Sequence, residues 1–427
     1  MDSRRNFLKQ TGLLLASMPI LGAANKLEAL NLHKTFPSDD DPAYWDEIRK
    51  MFPMPLDEGY LNTGTIGATP KPVLDAMTGH LEEYARNIAK IDWSDGGIKI
   101  ITGYFPHDSI RKKLGVMMNA EHTELSLIKN AHMGMNLMAS GLDLKSGDEV
   151  IQTNLEHTGG KSGWEMISKR KGIVIKQIQI QTPIPNPEYI IDLVRDQITP
   201  RTRVIAIPHI LSVPGDILPV KEICTLAREK GILTVIDGAQ TIGHIPIDVK
   251  DLGCDAYFTS PHKWLLAPAG SGVLYIHKDL APSVWTCMPS GAWDNHDDEG
   301  FRFTQRGTDN SAMMVGFEAA IDFHNMIGQK RVTDRVKFLG DYLRKELQSN
   351  SIFEINSSVH PEMCAGLTTY GVKGIKGKIL QDEMWKREKL QPRPVGPNGQ
   401  YIRFSTHFYV STNEIDRALN VANQLTN

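Results

Sequence analysis

Several hallmarks of common protein classes are missing from this sequence. The four cysteines, at positions 224, 254, 287 and 364, form no Cys-x-x-Cys pair, which excludes a zinc ribbon and a disulfide scaffold. Beyond the N-terminus no run approaches the roughly 20 apolar residues of a membrane span, so the chain is not a polytopic membrane protein. Lysine plus arginine number 47 against 50 aspartate plus glutamate, and this balance lacks the positive excess that favours nucleic-acid binding.

Two glycine-rich segments also lack the residues of nucleotide-binding motifs. The segment Gly371–Lys378 does not have the spacing of a P-loop, and Ile379 stands where a magnesium-binding serine or threonine is needed. Gly270-Ser271-Gly272 lacks the third glycine of a dinucleotide fingerprint. No two histidines flank a glutamate at helical spacing, so the sequence predicts no metal site.

What is present is the composition of an ordinary globular protein. The 427 residues contain 41% hydrophobic and 23% charged side chains. At roughly 100–200 residues per domain, this length predicts two or three domains with a sizeable core.

The first 30 residues resemble a twin-arginine (Tat) export signal. The string Ser3-Arg4-Arg5-Asn6-Phe7-Leu8-Lys9 precedes a short apolar run, Leu13 to Ala24. The resemblance implies recognition by the Tat export machinery and a periplasmic location. No Ala-x-Ala motif marks a cleavage site, so an uncleaved inner-membrane anchor remains the alternative.

The middle of the chain alternates short β-branched runs with helical stretches of about ten residues, a pattern typical of βαβ units around a parallel sheet. The predicted strands are Val150–Thr153, Ile173–Ile180, Val204–Ile207, Leu233–Ile236, Ala256–Thr259 and Val273–Ile276. A long amphipathic helix is predicted from Met313 to Leu347, then short strands and a last helix from Thr412 to Leu425. This change of pattern indicates a second, smaller domain.

An acidic residue ends one of these buried strands. Asp237 follows Leu233–Ile236, and Lys263 lies one strand–helix–strand unit further on. A buried carboxylate needs a cationic partner, and in pyridoxal phosphate enzymes that partner is the protonated pyridine nitrogen, while a lysine bonds to the cofactor aldehyde. Both residues should meet at the carboxyl edge of the sheet, where α/β proteins bind ligands. Taken singly, a helix-capping Asp237 and a surface Lys263 remain alternatives.

The two segments around these residues resemble the class V aminotransferase family of fold-type I pyridoxal phosphate enzymes. The resemblance rests on Asp237-Gly238-Ala239-Gln240 and on Ser260-Pro261-His262-Lys263 followed by Gly270-Ser271-Gly272; Pro261 replaces a usual small residue. It implies an α/β homodimer whose large domain has a mainly parallel seven-stranded sheet between helices, with a smaller α+β domain. The expected divisions are 1–30 for the signal, 31–65 for a segment joining the small domain, 66–312 for the large domain and 313–427 for the small domain.

The resemblance also implies roles for individual residues. Lys263, His157 and Asp237 are the expected catalytic residues, with His157 stacked on the pyridine ring. His132 replaces a usual threonine in the phosphate loop, and Thr308 is expected to reach the phosphate of the neighbouring subunit. The full set expected to bind pyridoxal 5'-phosphate is Ala131, His132, His157, Ser212, Asp237, Gln240, Ser260, His262, Lys263 and Thr308.

The expected substrate is an amino acid or a peptide-like amine. Arg403, in Tyr401–Ser405, resembles the arginine that binds the substrate carboxylate, and Asn62 and Arg393 are further candidates. The segments Tyr60–Gly67 and Arg306–Asp309 resemble the isopenicillin-N-epimerase-like branch.

Transaminase-type chemistry at Cα is expected. Epimerisation, β-elimination and modification of a siderophore amino acid are the alternatives, and a non-catalytic binding protein is disfavoured by the presence of Asp237 and Lys263. Cysteine is absent from Gln391–Gly399, where cysteine desulfurases carry their nucleophile, so desulfuration is disfavoured as well.

Overall fold

A computed structural model describes residues 41–91, 104–304 and 307–426. The twin-arginine segment lies outside the described residues. The strands, in chain order, are β1 (Gly59–Tyr60), β2 (Leu125–Ile128), β3 (Glu149–Thr153), β4 (Val174–Ile178), β5 (Thr202–Pro208), β6 (Leu233–Gly238), β7 (Ala256–Thr259), β8 (Gly272–Ile276), β9 (Phe353–Ile355), β10 (Leu367–Val372), β11 (Leu390–Gln391), β12 (Arg393–Val395) and β13 (Tyr401–Ser405).

The α-helices of the described residues surround these strands. They are α1 (Pro42–Lys50), α2 (Lys71–Asn87), α3 (Asp108–Met118), α4 (Ala131–Gly141), α5 (Thr158–Lys171), α6 (Pro187–Gln197), α7 (Val220–Glu229), α8 (Val249–Leu252), α9 (Glu299–Thr304), α10 (Ser311–Ile327), α11 (Gln329–Gln348), α12 (Gly377–Glu388) and α13 (Thr412–Thr426).

A seven-stranded sheet forms the centre of the larger part, in the order β2-β8-β7-β6-β5-β3-β4. Its strands run parallel except β8, which is antiparallel to both β2 and β7. The predicted α/β fold with a mainly parallel seven-stranded sheet is therefore confirmed. Strands β3, β5, β6 and β7 are buried along nearly their whole length, which explains why the sequence shows continuous apolar runs rather than alternation.

The C-terminal part contains a four-stranded antiparallel sheet, in the order β12-β13-β10-β9, packed against helices. Its hydrophobic core includes the N-terminal helix α1, whose Trp45 and Ile48 are buried with Phe408 and Leu343. Strand β1 pairs with β11 of the same part of the fold. The chain therefore returns to its N-terminal segment to complete the smaller core. The four predicted divisions of the chain remain a prediction.

The single long helix predicted from Met313 to Leu347 is two helices. Helix α10 ends at Ile327 and α11 begins at Gln329, because Gly328 between them adopts a φ of 99°, which interrupts helical hydrogen bonding. The amphipathic pattern continues through the break and so conceals it in the sequence. The last helix and the six predicted central strands occupy the expected places, whereas β2 has no counterpart among the predicted strands.

None of the helices of the described residues combines the length and the apolar character needed to cross a bilayer. The described residues also contain no group of three or more histidine, cysteine or acidic side chains arranged to hold a metal ion.

Candidate active site

A cavity of about 380 Å³ lies at the carboxyl edge of the seven-stranded sheet. Such a position is the usual ligand site of α/β proteins, because the loops that follow parallel strands converge there. Of the residues predicted to bind cofactor or substrate, those that line the cavity are Ala131, His132, His157, Ser212, Asp237, Gln240, Ser260, His262, Lys263, Arg393 and Arg403. Tertiary folding thus brings together residues spread over more than half of the sequence.

Asp237 reaches the cavity from the end of β6, with its Oδ1 accepting a hydrogen bond from the amide of Ala239 at 2.8 Å. Burial raises the pKa of Asp237, and the Ala239 amide and the charge of Lys263 oppose that shift. A cationic group at the carboxylate would therefore be stabilised strongly, since it would offset the cost of desolvation.

Lys263 lies in the loop after β7 and faces the same cavity. Burial, together with the charges of Arg403 and Arg393, lowers the pKa of its ammonium to about 8, and the charge of Asp237 opposes this shift. The loop is held by hydrogen bonds from the amide of Lys263 to Ser260 and from Ala267 to Pro261, both at 3.1 Å. A lysine with this pKa exchanges its proton readily near neutral pH, as a nucleophile or a general base requires.

The N-terminus of α4 points its first-turn amides toward the cavity. Asn130 caps this helix by accepting from the Met133 amide at 2.9 Å, and the Ala131 amide donates to Ser260 Oγ at 3.0 Å. Amides of a helix N-terminus, together with a hydroxyl group, favour an anion such as phosphate.

The ring of His132 contacts protein at both nitrogens. Its Nδ1 lies 2.9 Å from the carbonyl oxygen of Gly159, and its Nε2 lies 3.3 Å from the Asn136 amide nitrogen. Because a carbonyl only accepts, Nδ1 carries the proton and Nε2 accepts from Asn136. The side chain of His132 therefore links α4 to the start of α5, and its role toward phosphate remains a prediction.

His157 is exposed to the cavity and held in one orientation. Its Nδ1 accepts a hydrogen bond from the Gly159 amide at 3.0 Å, so the proton of the neutral ring resides on Nε2. Burial and then the charge of Lys263 lower the pKa of His157. At neutral pH the ring is therefore an uncharged donor at Nε2, suited to stacking on an aromatic ring.

Sequence reasoning missed a second carboxylate beside Asp237. Glu156 Oε1 accepts from the amide and the hydroxyl of Thr153, at 3.2 and 3.0 Å. A Cβ placed on Gly160 would lie 3.2 Å from both Glu156 Oε2 and Asp237 Oδ2, so the two carboxylates flank this glycine. Burial and the charge of Asp237 raise the pKa of Glu156 to about 8. Its only signal in the sequence was its position next to His157.

Gln240 connects the cavity to the N-terminal segment. Its Oε1 accepts from Trp264 Nε1, and its Nε2 donates to the carbonyl oxygen of Gly64, both at 2.8 Å. Gly67 donates its amide to the His262 carbonyl at 2.7 Å, which places this segment against the lysine loop. The predicted contact of Gln240 with the cofactor ring remains a prediction.

Arg403, on β13, is buried and approaches the cavity from the smaller part of the fold. It donates through NH1 to the Ser212 carbonyl at 2.6 Å, and through NH2 to Asn62 Oδ1 at 3.2 Å and Thr65 Oγ1 at 3.1 Å. Asn62 is not a cavity-lining residue, and its amide oxygen orients Arg403 instead. Thr65 lines the cavity and was not among the predicted site residues.

Thr308 is exposed and does not line the cavity of its own chain. Its expected contact, with the phosphate bound by a neighbouring subunit, concerns a second chain and remains a prediction.

The groups that line the cavity fit pyridoxal phosphate. The buried Asp237 carboxylate suits a protonated ring nitrogen, and Lys263 in the same cavity suits the aldehyde. The first-turn amides of α4, with Ser260 and His262, suit the phosphate. Gly159 and Gly160 contribute no side chain between these groups, which leaves space for a planar ring.

Comparisons with known proteins agree with the assignment of this cavity as a pyridoxal phosphate site. The model of the family described as aminotransferase class-V matches residues 60–417. Isopenicillin N epimerase of Amycolatopsis lactamdurans is 28% identical over 409 residues, which cover 90% of this chain and 98% of the relative. A probable cysteine desulfurase of Methanothermobacter thermautotrophicus is 27% identical over 394 residues, or 87% of this chain and 95% of the relative.

Two solved structures show the fold. The apo cysteine desulfurase of Thermococcus onnurineus superposes with a TM-score of 0.77 at 23% identity, covering 89% of this chain and 97% of that one. The cystine C-S lyase C-DES, in complex with its product cysteine persulfide, gives 0.75 at 23% identity, covering 86% and 98%. Because the family match extends over most of the chain and the cavity has the required groups, this protein belongs to the aminotransferase class-V family and is a pyridoxal-phosphate-dependent enzyme.

Proposed function

We propose that this enzyme acts at the Cα of an amino acid or a peptide-like amine with a free carboxylate. The observation that carries the proposal is the meeting of Lys263, Asp237 and Arg403 in one cavity. Lys263 supplies a base, Asp237 a buried negative charge, and Arg403 a guanidinium that suits a carboxylate.

Each residue has a distinct task in this proposal. Pyridoxal phosphate, when bound, withdraws electrons from Cα and so makes its proton acidic. Lys263 Nζ, with its pKa lowered to about 8, takes that proton. Asp237 would stabilise a proton on the ring nitrogen of the cofactor, and Arg403 would bind the carboxylate of the substrate in the same cavity as Lys263. His157, whose neutral ring carries its proton on Nε2, would stack on the cofactor ring.

Transamination is the outcome that we favour. Epimerisation is the second candidate, supported by the 28% identity to isopenicillin N epimerase over 90% of this chain. β-Elimination and modification of a siderophore amino acid remain alternatives within the same chemistry.

Persulfide-forming desulfuration has little support. No cysteine lines the cavity. Cys224, Cys254 and Cys364 are buried in the described part of the chain, whereas Cys287 is exposed on a loop of the larger part. The Gln391–Gly399 segment has no nucleophile to accept sulfur.

Hydrogen exchange tests the proposal directly. The loaded enzyme, incubated in D₂O with a panel of amino acids and modified peptides, should incorporate deuterium at Cα. A keto product with pyridoxamine phosphate would identify transamination, and inversion of configuration would identify epimerisation. Lys263→Ala is the control and should abolish exchange. Absence of exchange and of any change in the cofactor spectrum across the panel would contradict Cα chemistry.

Export through the Tat machinery and assembly into a homodimer are part of the same proposal. The twin-arginine string supports periplasmic location after loading with cofactor, because that pathway carries folded proteins. The exposed Thr308, outside the cavity of its own chain, is consistent with a contribution to a neighbouring subunit's site.

A further inference from the structure

Two arginines converge on one hydroxyl group at the opening of the cavity. Thr65 Oγ1 accepts hydrogen bonds from NH1 of Arg393 and from NH2 of Arg403, the latter at 3.1 Å. The same hydroxyl donates to Asn62 Oδ1 at 2.7 Å. The two guanidinium groups are therefore neighbours across a single oxygen.

The β-sheet register enforces this proximity. Arg393 on β12 and Arg403 on β13 are directly opposite each other in an antiparallel pair. Directly opposite side chains project from the same face of a sheet, and like charges in that arrangement are destabilising. The proximity of the two positive charges therefore lowers the stability of the fold.

Within the described residues, no carboxylate lies within ion-pair distance of either guanidinium. Burial and the charge of Arg393 lower the pKa of Arg403 to about 9, which shows how poorly its charge is compensated. Nε of Arg403 is buried and finds no hydrogen-bond partner in the part of the chain that the structure describes. Arg393 is exposed at the mouth and keeps most of its donors free for a ligand.

The two arginines differ in how many of their donors are already used. Arg403 makes three hydrogen bonds, to Ser212, Asn62 and Thr65, and keeps one N–H of NH1 for a ligand in the cavity. Arg393 lines the same cavity with an exposed side chain and makes one hydrogen bond within the described residues, to Thr65.

We infer that the substrate carries a second anionic group, preferably a carboxylate, which Arg393 binds while Arg403 binds the carboxylate at Cα. This inference rests on the proposed function and specifies its substrate class as acidic, two-carboxylate amino compounds. Thr65 is a positioning residue, because its hydroxyl accepts a hydrogen bond from each guanidinium.

Binding of unreactive acids tests the inference without requiring turnover. Calorimetry on the loaded enzyme should show glutarate binding at least about tenfold more tightly than valerate, which has the same five carbons but one carboxylate. Arg393→Gln should remove this preference, so that the ratio of the two affinities falls toward one. Arg387→Gln, which replaces another exposed arginine, on α12, is the matched control and should keep the preference.

The amino acid pair glutamate and norvaline provides a second readout. Wild-type enzyme should exchange the Cα proton of glutamate at a lower KM than that of norvaline, and Arg393→Gln should raise the KM for glutamate relative to that for norvaline. Equal affinity of the wild type for glutarate and valerate, or a preference that persists in Arg393→Gln, would overturn the inference. Exchange on norvaline with no preference for diacids would leave the proposed function intact and refute only the two-carboxylate substrate.

Discussion

At the scale of single residues, the cavity is a set of ionisable groups whose pKa values shift in opposite directions. Burial raises the pKa values of the carboxylic acids Asp237 and Glu156 and lowers those of Lys263 and His157. Desolvation favours the uncharged form of each group, and such shifts are typical of catalytic sites. Substitutions of these residues are therefore expected to change the charges in the cavity more than its packing.

Asp237→Ala removes the negative charge from the cavity while leaving Lys263 in place. Borohydride should still fix the cofactor covalently on Lys263, whereas the turnover number should fall by about 10²-fold or more, because the ring nitrogen loses its partner. Mass spectrometry of the reduced protein and single-turnover kinetics provide the two measurements. Asp237→Ala turning over as fast as wild type would contradict the role of this carboxylate.

Glu156 should make the stability of cofactor-free protein depend on pH. Its folded-state pKa of about 8 lies above the usual value of 4.5, so its contribution to stability is fully present below about pH 4.5 and is lost as the pH rises through 8. Glu156→Gln should therefore gain stability relative to wild type between pH 5 and pH 9. Thermal melting across that range measures the difference.

The control for this experiment is Glu165→Gln, on α5, which replaces an exposed glutamate. Its melting curve should follow wild type across the pH range. Parallel pH profiles for wild type and Glu156→Gln would show that Glu156 is ionised in the folded protein at neutral pH.

At the scale of elements, the site depends on a close approach between two loops. A Cβ on Gly67 would lie 2.2 Å from the carbonyl oxygen of Lys263 and 3.2 Å from that of His262. Both contacts are with backbone, which cannot rotate away. The absence of a side chain at position 67 thus lets the N-terminal segment rest on the lysine loop.

Gly67→Ala should destabilise the protein by about 1–3 kcal/mol and weaken its retention of cofactor, because the 62–67 segment must withdraw from the lysine loop. Denaturant unfolding and the visible absorbance after dialysis measure the two effects. Gly79→Ala is a matched control, since a Cβ at this exposed helical position meets nothing within 4 Å. It should stabilise α2 by up to about 1 kcal/mol. Equal stability of the two variants would contradict the close approach.

At the scale of the whole molecule, three parts of the chain close the cavity. The large sheet contributes Asp237 and Lys263, the smaller sheet contributes Arg393 and Arg403, and the N-terminal segment contributes Thr65. A shift of the smaller part against the larger would separate Arg393 and Arg403 from Lys263.

Replacement of both Arg4 and Arg5 by lysine should leave the protein in the cytoplasm, because a twin-arginine signal requires the guanidinium pair. Cell fractionation of the paired variant against wild type measures the distribution, and the variant should retain the same catalytic activity in lysates. Replacement of Lys169 and Arg170, which are exposed in the last turn of α5, by glutamine serves as a basic-pair control. Normal periplasmic arrival of the Arg4/Arg5 variant would refute the export proposal.

The sequence by itself determined the fold class, the family and the chemistry of the cofactor site. Apolar strand runs reflect the burial of neighbouring residues, and the residues from Ser260 to Lys263 are contiguous. Both patterns can therefore be recognised in the sequence. Only the tertiary structure decided which groups meet. The Arg393–Arg403 register, the hydrogen bonds of both arginines to Thr65 and the proximity of Glu156 to Asp237 bring together residues that are 10 to 338 positions apart. The sequence likewise did not indicate the break at Gly328. An amphipathic pattern shows which face of a helix is buried, and not where one helix ends and the next begins.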